Sequence, residues 1–164
     1  MKLQELISKL EKHHKKKLDL SLGRTFNLLK KLGNPQDKLK NVITVVGTNA
    51  KASMCYSLKS ILNQAGHKTN LYTSPHLLSY TERYIFDDKE INEKDLIELL
   101  TGVEKTLGDD NATLFEILTC AFLKYAENFK DNINIIEAGL FHQFDSTNVF
   151  KENLMTLIGV IHND

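Results

Sequence analysis

Apolar side chains recur along the chain with two alternating spacings, one typical of helices and one typical of buried strands. Helical spacing begins near the N-terminus with Leu3, Leu6, Ile7 and Leu10. Four further helices are predicted, which begin at a Ser21 N-cap, after residue 53, at an Asn92 N-cap and at residue 114. The apolar faces of the first two of these are expected to contain Leu22, Phe26, Leu29 and Leu32, and then Met54, Leu58, Ile61 and Leu62. Their stops are Gly33-Asn34-Pro35 and Gly66.

Short apolar, mostly β-branched runs separate these helices and indicate strands. They are predicted at residues 42–46, 68–72, 133–137 and 154–160, with a hairpin around Asp87-Asp88. Strands that alternate with helices favour an α/β fold in three layers, a largely parallel sheet with helices on both faces. No helix follows the run at 154–160 to cover it, so we expect either another chain to supply the cover or the sequence to be a shortened version of something longer.

Composition narrows the class of protein. The 164 residues fit roughly one domain of 100–200 residues. The 21 basic and 21 acidic side chains balance, which argues against a protein that coats nucleic acid or an anionic membrane. The sequence contains no apolar run long enough for a membrane span and no signal peptide. Two cysteines, Cys55 and Cys120, make no disulfide framework. We therefore expect a reduced, cytoplasmic protein without nucleic-acid or membrane partners.

A candidate phosphate-binding loop joins the first strand to the third helix. It consists of Gly47, Thr48, Asn49, Ala50, Lys51, Ala52 and Ser53. In such a loop backbone N–H groups and the helix dipole face the phosphates, a lysine neutralises them, and a hydroxyl holds Mg²⁺. The general pattern requires Gly-Lys-Ser/Thr, which Ala50-Lys51-Ala52-Ser53 does not match. The alternative from spacing alone is an ordinary strand–helix turn with a surface lysine.

The residues around this loop resemble bifunctional folylpolyglutamate synthase/dihydrofolate synthase, a family of the Mur ligase superfamily. Residues 44–53 are similar to its His-Val-Ala-Gly-Thr-Asn-Gly-Lys-Gly-Ser loop. The similarity continues, in the family's order, through Leu32-Gly33-Asn34-Pro35-Gln36, Leu71-Tyr72-Thr73-Ser74-Pro75-His76-Leu77, Glu82-Arg83, Thr113-Leu114-Phe115-Glu116-Ile117-Leu118-Thr119, Ile136-Glu137-Ala138-Gly139-Leu140, Asp145-Ser146-Thr147-Asn148-Val149 and Thr156-Leu157-Ile158-Gly159-Val160-Ile161-His162. Nearly the whole chain is covered.

The resemblance implies a P-loop NTPase-like fold and an ATP-dependent amide ligation. ATP would phosphorylate a carboxylate of folate or dihydropteroate, and the amino group of L-glutamate would attack the acyl phosphate. By the resemblance, Lys51 would be catalytic and bind the phosphates, and the cofactors would be ATP and Mg²⁺. The implied Mg²⁺ ligands are Ser53, Glu137 and His162. The implied substrate-binding residues are Ser74, Pro75, His76 and Glu116.

Each of these residues also has a purely structural explanation. Ser53 fits a helix N-cap, and Glu116 stands three residues after Thr113, the spacing of a capping box. Lys51 could be a solvated turn lysine and His76 a plain loop residue. The Asp145 to Asn148 segment has the composition of a turn. For Glu137, at the end of an apolar strand, a site position is favoured.

Departures from the family pattern fall at the expected site. Ala50 and Ala52 replace two loop glycines, and Phe141-His142-Gln143 replaces Gly-Gly-Arg. Leu157 and Ile161 stand where the family has Asn and Asp. We expect residues 1–164 to be a single incomplete ATP-binding domain, a partial Mur ligase central domain without the C-terminal domain. Three hypotheses remain open: a ligase or the N-terminal half of a split one, an inactive remnant, and an interaction module. We expect catalysis by this chain alone to be lost, Mg-ATP binding to be weak or absent, and the chain to form a homo-oligomer or to pair with a separate C-terminal chain.

Overall fold

In the described part of the chain, six strands form one mixed sheet on which five α-helices pack. The computed structural model describes residues 2–13, 21–139 and 142–161, with only the backbone of His13 and His142. The helices are α1 (Leu3–His13), α2 (Gly23–Lys31), α3 (Lys51–Gln64), α4 (Glu93–Leu107) and α5 (Leu114–Ala126). The strands are β1 (Val42–Val46), β2 (Thr69–Tyr72), β3 (Tyr84–Phe86), β4 (Lys89–Glu90), β5 (Ile133–Glu137) and β6 (Met155–Ile158).

The strand order is β4-β3-β2-β5-β1-β6. Strands β2, β5, β1 and β6 run parallel, and the β3–β4 hairpin continues the sheet in antiparallel pairing. Val45 lies opposite Glu137 on β5, and Tyr72 lies opposite Ile136. The carboxyl ends of β1, β2 and β5 therefore meet at one edge of the sheet, where ligands bind in open α/β folds.

The two faces of the sheet carry cores of different size. On one face, α3 is the only described helix, and it packs over Val45, Leu71 and Ile135 with its own buried Cys55. The other face carries α1, α2, α4 and α5, which share the larger core with Tyr72, Tyr84 and Phe122. The predicted three-layer α/β arrangement is confirmed. Among the described helices, none is both long and apolar enough to cross a bilayer.

Most local signals in the sequence act as predicted. Asn92 caps α4 by accepting the N–H of Asp95, and the hairpin turns at Asp87 and Asp88, whose φ angles are 49° and 67°. Gly33 and Asn34 end α2 with left-handed backbone at φ 87° and 51°. Such positions suit glycine, asparagine and aspartate, which tolerate positive φ.

Three details of the predicted helices are wrong, two in α2 and one in α3. The N-cap position of α2 is Leu22, not Ser21, and it has no side-chain cap. The helix buries Thr25, Leu28 and Leu29, while Phe26 is 44% exposed. Leu29 belongs both to the predicted apolar face and to the face that is buried. Packing against α4 and α5 decides that Thr25 and Leu28, rather than Phe26, are buried beside it.

Ile61 of α3 is likewise 65% exposed, against expectation. Because α3 is the only helix that the structure describes on that face, it buries only the side that contacts the sheet.

Candidate functional site

The loop between β1 and α3 turns through one strained residue. Ala50 occupies the N-cap position of α3 with φ 64° and makes no side-chain cap. A Cβ in this left-handed conformation costs roughly 1–2 kcal/mol. Ala52 lies inside α3, where a helical backbone makes no such demand. Of the two alanines that replace glycines, only Ala50 therefore carries backbone strain.

Lys51 is folded back onto the loop that precedes it. Its Nζ donates to the carbonyl oxygens of Gly47 at 2.9 Å and of Thr48 at 3.4 Å. The side chain is half-buried, and Ser53 follows as an exposed residue in the first turn of α3. A phosphate group bound here would compete with these two carbonyl oxygens for the ammonium.

The end of β6 packs against the same loop. Gly159 donates its N–H to Val46 at 2.7 Å, and the carbonyl of Val160 accepts the N–H of Thr48 at 2.9 Å. A Cβ on Gly159 would lie 3.1 Å from the sulfur of Met54 and 3.2 Å from the carbonyl oxygen of Asn49. The absence of a side chain at residue 159 thus allows the strand to close over the loop.

Glu137 ends β5 beside the loop and is 3% exposed. Its Oε2 accepts the backbone N–H of Ser74 at 2.9 Å. Burial raises the pKa of this carboxyl, and the hydrogen bond from Ser74 and the charges of Lys51 and Arg83 oppose that shift. Cys55 lies close enough that Glu137 adds to the raised pKa of its thiol, although burial is the larger cause. Glu137 is therefore a buried carboxylate that faces the loop lysine and the segment after β2.

The segment after β2 carries a stacked group of three side chains. Arg83 donates from Nε to Nδ1 of His76 at 2.9 Å, and its guanidinium carbon lies 5.0 Å from the centre of the Tyr80 ring. The rings of His76 and Tyr80 lie 4.1 Å apart. Partial burial and then the charge of Arg83 lower the pKa of His76. Because Nδ1 accepts from Arg83, His76 is held neutral with its proton on Nε2.

Glu82 binds the backbone at the tip of this segment, residues 77–79. Its carboxylate accepts the backbone N–H groups of Leu77, Leu78 and Ser79 at 2.7–2.8 Å. The side chains of Leu77 and Leu78 are 92% and 94% exposed. Ser74 joins Pro75 through a cis peptide bond at the start of the segment.

A cleft of about 440 Å³ opens next to Arg83. It lies between the 80–83 turn, the end of α1 and the start of α5, and it is lined by Glu11, Tyr80, Arg83, Thr113, Leu114, Phe115 and Leu118. Sequence reasoning gave no role to Glu11 or Tyr80. No local signal could have found them, because the cleft exists only after three distant parts of the chain have packed together.

Glu116 lies at the start of α5 in a structural arrangement. It completes a capping box with Thr113, and its Oε1 accepts from both Nε and Nη2 of Arg24 at 3.2 Å. It is 6% exposed, and its neighbours Leu114 and Phe115, not Glu116, line the cleft.

The segment after β5 forms a buried turn. Asp145 accepts the N–H of Thr147 on Oδ1 at 2.9 Å, and its carbonyl accepts the N–H of Asn148 at 2.8 Å. The turn expected from composition is present, but Asp145, Ser146 and Thr147 are at most 5% exposed. Ser146 continues a chain of hydroxyl groups through Thr119 to Tyr72.

The proposed Mg²⁺ ligands are placed only in part, because His162 lies outside the described residues. Within the described part of the chain, no three or more His, Cys, Asp or Glu side chains come together as a metal site. Ser53 and Glu137 both lie at the loop end of the sheet. Hydroxyl and carboxylate oxygens suit Mg²⁺, and a cation would relieve the unfavourable burial of the Glu137 charge. The residues present fit the ion.

Comparison with known proteins gives a consistent result. No family model matches the sequence. The dihydrofolate synthase/folylpolyglutamate synthase of Escherichia coli K12 is 35% identical over 164 residues, which are 99% of this chain and 39% of that protein. The Bacillus subtilis protein of the same name is 35% identical over 150 residues, with 87% and 34% covered.

Solved structures agree with the sequence relatives. The Escherichia coli FolC structure in complex with DHPP and ADP superposes with a TM-score of 0.91 at 34% identity, over all of this chain and 39% of that one. A Yersinia pestis bifunctional folylpolyglutamate synthase/dihydrofolate synthase complexed with AMPPNP and Mn ion gives 0.88 at 31% identity, with 96% and 38% covered.

The mostly parallel sheet and the loop between β1 and α3 define an α/β protein of Mur ligase-like architecture. Within that class the chain is homologous to the dihydrofolate synthase/folylpolyglutamate synthases, as the sequence motifs predicted. It spans little more than a third of the length of the curated relatives it matches.

Proposed function

We propose that this chain forms the phosphate-binding and pteroate-binding part of an ATP-dependent ligase that joins L-glutamate to dihydropteroate or folate. The observation that carries the proposal is the hydrogen bond from Ser74 to Glu137. It connects the loop end of β5 to the segment whose far end, at Arg83, lines the cleft. The segment from Ser74 to Arg83 therefore links the loop end of the sheet to an aromatic cleft.

In this proposal the loop holds the phosphates of ATP. Lys51 leaves the Gly47 and Thr48 carbonyl oxygens and binds phosphate oxygens, and the backbone of residues 47–53 supports it at the N-terminus of α3. Ser53 and Glu137 would hold Mg²⁺, with His162 as the third ligand that the family resemblance implies. The ion would supply positive charge to phosphoryl oxygens.

The acceptor substrate is proposed to lie in the cleft. Tyr80 and Phe115 offer ring faces for a flat heterocycle, and Arg83 offers a cation fixed by His76. Ser74 bonds to Glu137, and it begins with Pro75 the segment that leads to Arg83 at the cleft. The reacting carboxylate would meet the phosphate near this start of the segment. Glu116 contributes by holding the start of α5, which carries Phe115.

Two observations favour impaired activity in this chain alone. Ala50 strains the loop, and Lys51 bonds to loop carbonyl oxygens. The relatives also contain more than half of their length beyond the matched part. We therefore propose that residues 1–164 are an incomplete ATP-binding domain that needs further polypeptide for catalysis.

Calorimetric titration of the 164-residue chain tests the proposal. We expect dihydropteroate or folate to bind, and Mg-ATP to bind weakly or not at all because of Ala50. Phe115→Ala and Tyr80→Ala should each weaken pteroate binding roughly tenfold, since stacking on an aromatic ring contributes about 1–3 kcal/mol. Phe26→Ala, which removes a partly exposed aromatic ring of α2, is the matched control.

The titrations with pteroate compounds and with Mg-ATP test the cleft and the loop separately. No binding of either pteroate compound would contradict the cleft assignment. Micromolar affinity for Mg-ATP would contradict the impairment that we attribute to Ala50.

A second candidate function rests on the outer edge of the sheet. No described strand pairs with the outer edge of β6, and Met155 and Ile158 on it are 47% and 66% exposed. Val160 and Ile161, just beyond, are 55% and 70% exposed. An open, apolar edge favours pairing with another strand. We propose that this edge binds either a second copy of the chain or a separate chain that carries the remaining part of the ligase.

A further inference from the structure

We infer that His76 is a positioning residue whose unprotonated Nδ1 holds the Arg83 guanidinium in the cleft, so that protonation of the imidazole releases Arg83 and weakens binding of the acceptor substrate. The inference rests on the proposed function of the cleft and adds to it a response to acid.

The contact between the two side chains has a defined geometry. Arg83 donates from Nε to Nδ1 of His76 at 2.9 Å, and the rings of His76 and Tyr80 lie 4.1 Å apart. The guanidinium carbon lies 5.0 Å from the centre of the Tyr80 ring. Because a guanidinium is planar, fixing Nε against His76 and one face near Tyr80 also fixes the direction of the two Nη groups. Arg83 lines the cleft, where these Nη groups supply donors for a ligand.

The backbone holds His76 from both sides. Two residues before it, Ser74 donates its N–H to Glu137 at 2.9 Å. Directly after it, Leu77 donates its N–H to Glu82 at 2.8 Å. The half-buried imidazole therefore offers its Nδ1 from a backbone that is anchored on either side.

The surroundings of the imidazole favour its neutral form. Burial is the main cause that lowers the pKa of His76, and the positive charge of Arg83 adds to it, while the carboxylate of Glu82 opposes both. Tyr80 is neutral, because burial and then the carboxylate of Glu11 on α1 raise the pKa of its hydroxyl, against the smaller effect of Arg83. The neutral imidazole is therefore present at neutral pH and is lost as pH falls through the lowered pKa, below the ordinary value of about 6.5.

Protonation removes the acceptor that holds Arg83. Both nitrogens of an imidazolium are donors, so Nδ1–H and the Nε–H of Arg83 would face each other, and two positive charges would meet. Glu82, whose charge already acts on the ring, would attract the imidazolium. Arg83 then leaves Nδ1, and the cleft loses a cation with a fixed direction.

Glu82 does not account for an acid response in the same range. Hydrogen bonds from the backbone, first that of Leu77, lower the pKa of its carboxyl below the ordinary value. That ordinary value, about 4.3, already lies about 2 pH units below that of histidine. An effect of acid between about pH 6.5 and about pH 5 therefore reports on His76 while the Glu82 carboxylate stays ionised.

Calorimetric titration with folate from about pH 8 to about pH 5 tests this inference. We expect the affinity of the unchanged chain to fall roughly tenfold toward acid, because charge-assisted hydrogen bonds from a fixed guanidinium are lost. His76→Asn keeps an acceptor oxygen near the position of Nδ1 but cannot be protonated, so its affinity should lack this acid response. His67→Asn, the same change of an exposed histidine after α3, is the matched control and should keep it. Titration of folate itself affects all three chains equally.

His76→Leu and Arg83→Gln separate positioning from direct contact. If His76 acts through Arg83, each change alone should weaken folate binding at neutral pH roughly tenfold, and the double variant should bind no more weakly than Arg83→Gln. Additive losses would mean that His76 contacts the ligand itself, and the inference would fail.

Nitrogen NMR of the isotope-labelled chain gives a readout that needs no ligand. We expect His76, identified by the signals missing in His76→Asn, to carry its proton on Nε2 at neutral pH. A proton on Nδ1 would overturn the inference. Equal acid responses of the unchanged chain and His76→Asn would also overturn it, and folate binding would then still support the cleft assignment. If the unchanged chain binds no folate at any pH, the proposed function of the cleft fails and the inference fails with it.

Discussion

Ala50 has a positive φ angle of 64°, which is unfavourable for an alanine. Four other described non-glycine residues have positive φ angles, namely Asn34, Asn41, Asp87 and Asp88. All four are asparagine or aspartate, which occupy left-handed backbone comparatively often. Ala50 has no polar side chain to compensate, and it lies at the point where the loop must present N–H groups to phosphate. The backbone strain therefore lies within the candidate phosphate-binding loop, at Ala50.

Replacing Ala50 with glycine should relieve this strain. We expect Ala50→Gly to raise the free energy of unfolding by up to about 1 kcal/mol, because glycine adopts positive φ without a steric penalty. Mg-ATP affinity should rise with it. Urea unfolding and calorimetric titration measure the two effects.

Ala52→Gly is the matched control for this prediction. Inside α3 the change should lower stability by up to about 1 kcal/mol, since glycine is a poor helix former. The two substitutions should therefore change the free energy of unfolding in opposite directions. Equal destabilisation by both variants would show that the left-handed backbone at Ala50 is not a source of strain.

At the scale of elements, the 74–83 segment contacts the core through Tyr80, but charged side chains hold its tip. Glu82 accepts three backbone N–H groups, and Arg83 fixes His76. Hydrogen bonds from the backbone of Leu77, Ser79 and Leu78 lower the pKa of the Glu82 carboxyl below its ordinary value. The backbone conformation of residues 77–79 is therefore coupled to the ionisation of one exposed carboxylate.

Acid should release this segment before the rest of the chain unfolds. A carboxyl whose pKa is lowered in the folded state stabilises that state above its unfolded pKa of about 4.3, and this stabilisation is lost as pH falls through the lowered value. We expect amide exchange at residues 77–79 to accelerate selectively in that acid range, as hydrogen exchange would show.

Glu82→Gln should accelerate the same amides already at neutral pH and remove their selective response to acid. Glu90→Gln, which changes an exposed glutamate of β4, should leave them unchanged. Unaltered protection of residues 77–79 in Glu82→Gln would rule out the carboxylate as the anchor.

At the scale of the whole molecule, the open edge of β6 predicts association. Ile158→Lys places a charge on the exposed side of that edge, and we expect it to shift the chain toward the monomer in sedimentation experiments, because charged side chains block edge pairing. Leu78→Lys, which changes an even more exposed leucine outside the sheet, should not. A monomeric unchanged chain with slow amide exchange across residues 155–158 would contradict the prediction.

The parts of the fold that depend on local chemistry could be predicted from the sequence. The strand β1, the Asn92 cap and the Asp87-Asp88 turn each follow from a few adjacent residues. Predictions failed where neighbouring elements decide the outcome, as for the exposure of Phe26 and Ile61.

The candidate site also has one part that local sequence predicts and one part that packing creates. The loop around Lys51 is contiguous in sequence and could be recognised, whereas Glu11, Tyr80 and Phe115 meet only through the packing of α1 and α5. The contact between Ser74 and Glu137 also has no local signal, because the two residues are 63 positions apart in the sequence.

The strand order has a consequence for how the chain is made. Strand β5 lies between β1 and β2, yet it is synthesised long after both. Until residues 133–137 emerge, β1 and β2 have no parallel partner, and only the β2–β3–β4 meander and the early helices can form. Closing such long loops slows folding. Because Glu137 is the last residue of β5 and bonds to Ser74, the step that completes the middle of the sheet is also the step that joins the two halves of the site.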